Sequence, residues 1–305
     1  MVKVIIDNPL SSVRNIIQSK LKISDMRLYK YFHPDRADIL KNGNIRFSPP
    51  KALNDPFELK PYISEIQTRK ESESDFQSLA PEMITKIYEE LPADVQSKLS
   101  LEQIQALAMN QSSTILDKLQ ETFEQARPRV QKSMESTFDE VLGILCLTES
   151  PDNLLMWAHY ADSHQGFVVE FDTDNSFFDQ RLHSDDDFRC LRKVCYSTER
   201  PNIVISKLDD FKSFLTKGLE WSYETEWRMM LHLENASTVL DDGSTAVHLF
   251  NFPKSSIRRV ILGCRVSDAK AAEIRQILKD SREYANVVCQ QAQIDASKYA
   301  LNFFT

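Results

Sequence analysis

The segment of this chain with the most potential chemistry is Trp221-Ser222-Tyr223-Glu224-Thr225-Glu226-Trp227-Arg228. Two carboxylates separated by one residue, at the entrance of an apolar stretch, suit general-base work or stabilisation of a developing cation. If residues 226–232 form a strand, Glu224 and Glu226 point to the same side, because strand side chains alternate with period two. Trp221, Tyr223 and Trp227 supply apolar faces that exclude water or stack on a planar ring. The bland alternative is a solvated turn whose glutamates pair with Arg228 and Lys217.

A second candidate runs from Met156 to Gly166 and includes Trp157, His159, Tyr160, Ser163 and His164. A short helix that enters a polar turn and then a strand presents such side chains at a sheet edge. His159 and His164 are five residues apart, which is not the helical spacing that puts two metal ligands on one face. No metal is expected. A third candidate combines Tyr29, Lys30 and Tyr31 with Asn54, Asp55, Pro56, Phe57 and Glu58. On a strand Tyr29 and Tyr31 share one face and Lys30 takes the other. Asn-Asp-Pro is in itself a turn initiator. A metal-dependent hydrolase on Glu224, Glu226, Asp55 and Glu58 would need a ligand spacing that these residues do not show.

The elements that must position these residues follow from periodicity. Met26–Phe32 reads as a strand, Pro34 opens a helix that Gly43 closes, and 44–48 reads as a second strand. Residues 49–58 form an ordered loop. Residues 70–140 are rich in Glu, Gln, Lys, Ser and Leu and read as two or three helices, with a capping box at Ser100–Gln103. From 141 the strand pattern returns: 141–147, 166–171, 191–196, 227–233, 246–250, 257–262 and 287–290 read as strands. Helices are expected at 153–160, 205–218 and from Ser267 through Asp280. The expected class is α+β, with a mixed, largely antiparallel sheet core, short helices and a helical insertion. The expected organisation is a helical extension over 1–25, a core domain over 26–69 and 141–295, and an insertion lobe over 70–140.

Composition narrows the function classes. The chain has 305 residues, 42% of them hydrophobic, enough for a substantial core. A net charge of −8 argues against a protein that grips duplex DNA through phosphates. Only six glycines, with no P-loop and no Gly-x-Gly-x-x-Gly, argue against a glycine-rich phosphate cradle. Five cysteines without Cys-x-x-Cys pairing read as reduced thiols. No run approaches the roughly 20 apolar residues of a membrane helix, and residues 1–12 lack signal-peptide architecture. A cytoplasmic protein without a membrane partner is expected.

Four stretches, LYKYFHPDRADILKNGNIRFSPPKALNDPFE, LLMWAHYADSHQGFVVEFD, KGLEWSYETEWRMM and IRRVILG, occur in this order over roughly residues 26–290. They resemble the bacterial family known as domain of unknown function 2971. More distantly, an aromatic first strand followed by a helix and a strand is similar to the opening of ADP-ribosyltransferase-like folds. That resemblance implies an enzyme that splits nicotinamide from NAD and transfers ADP-ribose, as toxins and phage-defence effectors do. It implies Glu226, Glu224 and Tyr160 as catalytic residues, with Lys30 where those enzymes place His or Arg. Tyr29, Lys30, Tyr31, Asn54, Asp55, Glu58, Trp157, His159, Ser163, Trp221, Tyr223 and Arg228 are the expected ligand-binding residues. NAD is the expected substrate, with a protein or nucleic-acid acceptor. The competing expectation is a non-enzymatic module that recognises a nucleotide, RNA or peptide in an aromatic cleft.

Overall fold

The computed structural model of the protein describes residues 26–208, 211–241, 243 and 246–305. The helical extension expected over 1–25 lies outside the described residues. The chain opens with β1 (Arg27–Phe32), a 3-10 turn at Pro34–Ala37, α1 (Asp38–Asn42) and β2 (Asn44–Phe47). Gly43 ends α1 at φ +69°, the left-handed position where a missing Cβ removes the strain. Strand β3 (Tyr62–Glu65) precedes four helices, α2 (Arg69–Glu90), α3 (Ala93–Gln96), α4 (Leu101–Asn110) and α5 (Ser112–Val141). The box at Ser100 forms: the Gln103 N–H donates to Ser100 Oγ at 3.2 Å, and the Ser100 N–H donates to Gln103 Oε1 at 2.9 Å. Thr68 and Glu71 form a second box that opens α2.

Next come β4 (Leu142–Thr148), α6 (Leu154–Tyr160), β5 (Phe167–Asp172), β6 (Arg192–Lys193), β7 (Cys195–Ser197), β8 (Asn202–Val204), β9 (Thr216–Gly218) and β10 (Glu226–His232). The chain finishes with β11 (Thr238–Leu240), β12 (Val247–Asn251), β13 (Ile257–Leu262), α7 (Asp268–Asp280), β14 (Val288–Ile294) and β15 (Leu301–Phe304). The fold is α+β.

Two compact units emerge. The first contains the chain up to Pro56, Asp139–Thr198 and Lys217–Thr305; the second contains Phe57–Phe138 and Glu199–Thr216. In the second unit the parallel pair β3–β8 accompanies the helices.

The first unit is built on an eight-stranded sheet in the order β15-β14-β13-β5-β1-β4-β10-β6. Its pairings are antiparallel except β13 with β14. A second, three-stranded sheet has the order β11-β12-β2. Strand β5 explains why Phe-Val-Val-Glu-Phe lacks alternation: both of its faces are covered. Phe167, Val169 and Phe171 join one apolar cluster with Leu28, Leu145 and Met229, while Val168 joins the other with Tyr29, Tyr31, Trp157 and Ile261.

Two expected elements differ. The helix expected over 205–218 is absent among the described residues; 3-10 turns at Ile205–Lys207 and Phe211–Phe214 and strand β9 stand in its place. Phe214 and Leu215 are adjacent in sequence and both buried. A turn buries two consecutive apolar residues more readily than one helical stripe does, so burial overrides the periodic signal. The strand expected over 191–196 splits around Val194, whose N–H donates to the Glu226 carbonyl at 2.9 Å. β3, β8, β11 and β15 lie where the sequence pattern predicts no strand.

Candidate functional site

The register of the central strands sets the site. Thr148 on β4 stands opposite Tyr29 on β1 and opposite Glu226 on β10. Directly opposed residues share a face, so Glu226 emerges on the face of the sheet that carries Tyr29. Two residues on, Arg228 stands opposite Cys146 on that same face.

Glu224 reaches this place by a different route from the one that strand alternation suggests. It closes the 3-10 turn Leu219–Glu224, and Thr225 then takes a left-handed conformation at φ +42°. Thr148 Oγ1 donates to the Glu224 carbonyl at 2.5 Å, and Asn153 Nδ2 donates to the Tyr223 carbonyl at 3.0 Å, so the turn is pinned from two elements. The strand proper begins only at Glu226.

Both carboxylates are buried, at 3% exposure each. Lys217 Nζ donates to Glu224 Oε2 at 2.5 Å and to Glu226 Oε2 at 3.1 Å. Arg228 grips Glu226 bidentately, from Nε to Oε1 at 2.7 Å and from Nη2 to Oε2 at 2.9 Å. The Tyr160 hydroxyl, at the end of α6, donates to Glu224 Oε1 at 2.5 Å. The Glu226 N–H donates to Tyr196 Oη at 2.8 Å. The Trp221 ring covers the Lys217 ammonium, with Nζ 4.8 Å from its centroid. The partners of the bland alternative are therefore present, but their setting is dry rather than solvated.

Electrostatics follow from this burial. Burial pushes the Glu226 carboxyl above the usual carboxylate range, Lys217 pulls it back, and Glu224 adds to the rise. Burial alone would lower the Lys217 ammonium, but the Glu226 and Glu224 carboxylates outweigh it and hold it above its ordinary value. Burial and the Glu224 carboxylate raise the Tyr160 phenol. Burial presses the Arg228 guanidinium down, and Asp55 opposes that shift. The Cys146 thiol is pushed up by burial and then by Glu226.

Among the sequence candidates, Tyr160 contacts Glu224 and Arg228 contacts Glu226, and Lys217 joins the two pairs. Asn54 interacts with the Tyr160 hydroxyl and Asp55 with the Arg228 charge. Trp221 and Tyr223 stand side by side with centroids 6.1 Å apart. Tyr29, Tyr31 and Trp157 are drawn into the core instead. Trp157 is fully buried, donates from Nε1 to the Pro151 carbonyl at 2.9 Å, and meets Tyr31 edge-on at 5.3 Å. Tyr29 Oη accepts from Arg259 Nη2 at 3.2 Å and stands beside the Glu170 carboxylate. Lys30 projects from the opposite face of β1, as alternation requires, and donates to the Cys146 carbonyl at 2.9 Å. Burial lowers its ammonium, although Cys146 and Glu226 act against that shift. His159 and Ser163 are exposed, and Glu58 belongs to the other unit. Tyr196, Thr148 and Cys146 are not foreseen as site residues, and Lys217 enters the sequence expectations only as a pairing partner in a solvated turn. Lys217 had one local signal, as the nearest preceding cation in Lys-Gly-Leu-Glu-Trp-Ser-Tyr-Glu-Thr-Glu.

Among the described residues no group of three or more His, Cys, Asp or Glu side chains is placed to hold a metal ion. No described helix is long and apolar enough to cross a membrane.

Residues 156–229 match the family model described as "Protein of unknown function (DUF2971)". The match begins in α6 and ends in β10, so it spans Tyr160, Lys217, Glu224, Glu226 and Arg228. No curated protein and no solved structure matches the chain.

Proposed function

We propose that the Glu224–Glu226 cluster is the reaction centre of an ADP-ribosyltransferase-like enzyme that cleaves NAD. The observation that supports this most is the contact of Tyr160 with Glu224 at 2.5 Å, with Lys217 joining Glu224 to Glu226. It unites a middle element and a later strand, two of the three sources of site side chains that the resemblance implies; the first-strand residue, Lys30, bonds the Cys146 carbonyl instead. In the reaction the C1′–N bond breaks and its electron pair leaves with nicotinamide. Positive charge builds on the ribose, and an acceptor nucleophile captures C1′ and loses its proton. Glu226, fixed by Arg228, faces that charge, and Glu224 orients a ribose hydroxyl beside it. Trp221 and Tyr223, both partly exposed, flank the leaving ring. The acceptor is a protein or a nucleic acid, the chemistry of a toxin or phage-defence effector.

Incubation of the pure protein with labelled NAD and candidate acceptors tests this. Release of nicotinamide is expected, with a loss of about 100-fold or more in Glu226→Gln, the scale of removing one preorganised electrostatic group. Wild-type protein that neither binds nor turns over NAD refutes it.

One observation favours a second reading. The carboxylates are ion-paired and buried while the two rings keep exposed surface, an arrangement that also suits recognition of a planar base, worth about 1–3 kcal/mol per stacked ring. Binding that depends on Trp221 and Tyr223 but survives Glu224→Gln and Glu226→Gln would select it.

A further inference from the structure

Glu224, Glu226 and Trp221 stand around the Lys217 ammonium. Glu224 Oε2 lies at 2.5 Å, Glu226 Oε2 at 3.1 Å and the Trp221 ring centroid at 4.8 Å. The two oxygens are thus no further apart than the two bonds laid end to end. Like charges at that separation, out of contact with water, oppose each other's ionisation, and a cation between them relieves this. Arg228 reaches the pair from the Glu226 side, with two hydrogen bonds to that carboxylate.

We infer that Lys217 is the positioning residue of the site: its ammonium binds the two carboxylates into one ionised unit and sets their separation. This rests on the proposed use of Glu224 and Glu226 in catalysis. Lys217 itself touches no reacting atom. Trp221 covers it from one side and keeps water from competing for its protons, and only 7% of the residue is exposed.

The groups that face this unit come from several elements. Tyr160 of α6 donates to Glu224, Arg228 of β10 donates to Glu226, and Tyr196 of β7 accepts from the Glu226 N–H. The Cys146 thiol of β4 acts on the Glu226 carboxyl. Lys30 of β1 acts on Glu226 through space, Asp55 acts on Arg228, and Tyr223 senses Glu224 and Lys217. Lys217 hydrogen-bonds both carboxylates.

The test removes the cation and reads the carboxylates directly. In Lys217→Met the pair takes up a proton at higher pH than in wild type. The infrared carbonyl band of a protonated carboxyl then persists to a pH at least one unit higher. It disappears when Glu224→Gln and Glu226→Gln are added, and Lys217→Arg restores the wild-type titration. With NAD as substrate the acid limb of the pH–rate profile moves up by the same amount, because the ionised pair is the working form. A folded Lys217→Met whose carboxyl band and pH profile both match wild type overturns the inference. If wild-type protein has no activity on NAD, the functional reading fails, and the infrared titration still decides the role of Lys217. If Lys217→Met does not fold, the 15Nζ resonance of Lys217 in the wild-type protein decides. A protected ammonium signal that is lost in both Glu224→Gln and Glu226→Gln supports the inference, and a rapidly exchanging one overturns it.

Discussion

Arg228 is a residue whose loss the structure makes costly. It is 1% exposed and holds Glu226 through two bonds at 2.7 and 2.9 Å. Two unit charges about 3 Å apart attract by about 5–6 kcal/mol at an effective dielectric of about 20. Desolvation takes back much of that in the intact pair, but loss of one partner leaves the other buried and exposed to its full penalty, about 3–5 kcal/mol. Arg228→Met keeps an unbranched side chain and removes the charge, so it should destabilise the protein by about 3–5 kcal/mol. For 305 residues, at about 2.1 cal/mol/K of unfolding entropy per residue, that is a fall in melting temperature of about 5–8 °C. The double variant Glu226→Gln/Arg228→Met removes one charge of each sign and keeps the Lys217–Glu224 pair. It should recover all but about 1–2 kcal/mol. Urea unfolding of the wild type, both single variants and the double variant closes the cycle. A loss below about 1 kcal/mol in Arg228→Met, or a double variant as unstable as the two singles added together, refutes the buried-pair argument.

Two further outcomes follow from the backbone and from pH. A Cβ on Gly166 would lie 1.9 Å from the Phe32 carbonyl oxygen, and one on Gly263 would lie 2.1 Å from the His164 carbonyl oxygen, so Gly166→Ala and Gly263→Ala should each lower soluble yield and melting temperature sharply. Wild-type stability in either variant would show that the turn at 162–164, where Asp162, Ser163 and His164 are all left-handed, adapts freely. Asp295 accepts from the Ser297 and Lys298 N–H groups and from Asn302, and these bonds hold its carboxyl down at about 2. A carboxyl lowered on folding stabilises above its unfolded value near 4 and loses that contribution as pH falls towards 2. Amide exchange in β14 and β15 should therefore quicken between about pH 4 and 2 in the wild type, whereas Asp295→Asn should show fast exchange at all pH values. An exchange rate that follows only the intrinsic acid dependence contradicts this.

Much of the fold is legible locally, for reasons that differ between segments. Ser100 and Gln103 mark a helix start because a cap needs only residues three apart. Gly43 marks a helix end because its left-handed φ excludes most other residues. The run from Phe167 to Phe171 announces a strand with both faces buried. The 205–218 segment misleads because its apolar residues follow a helical period while their burial is decided by distant neighbours. The aromatic Tyr29, Tyr31 and Trp157 look like ligand-binding rings in sequence, and packing on the second apolar cluster claims them instead.

The sequence by itself determined the α+β class, the positions of the central strands and the segment that holds the two carboxylates. Caps, period-two and period-3.6 patterns and turn residues act over a few positions, so they survive without a fold. Only the tertiary structure decided that β1 lies between β4 and β5, that Thr225 turns left-handed, and that Lys217 stands between Glu224 and Glu226. Those outcomes depend on approach between residues far apart in the chain and on the removal of water around them. A solvated pair and a dry, three-cornered charge cluster have the same local sequence; burial separates them.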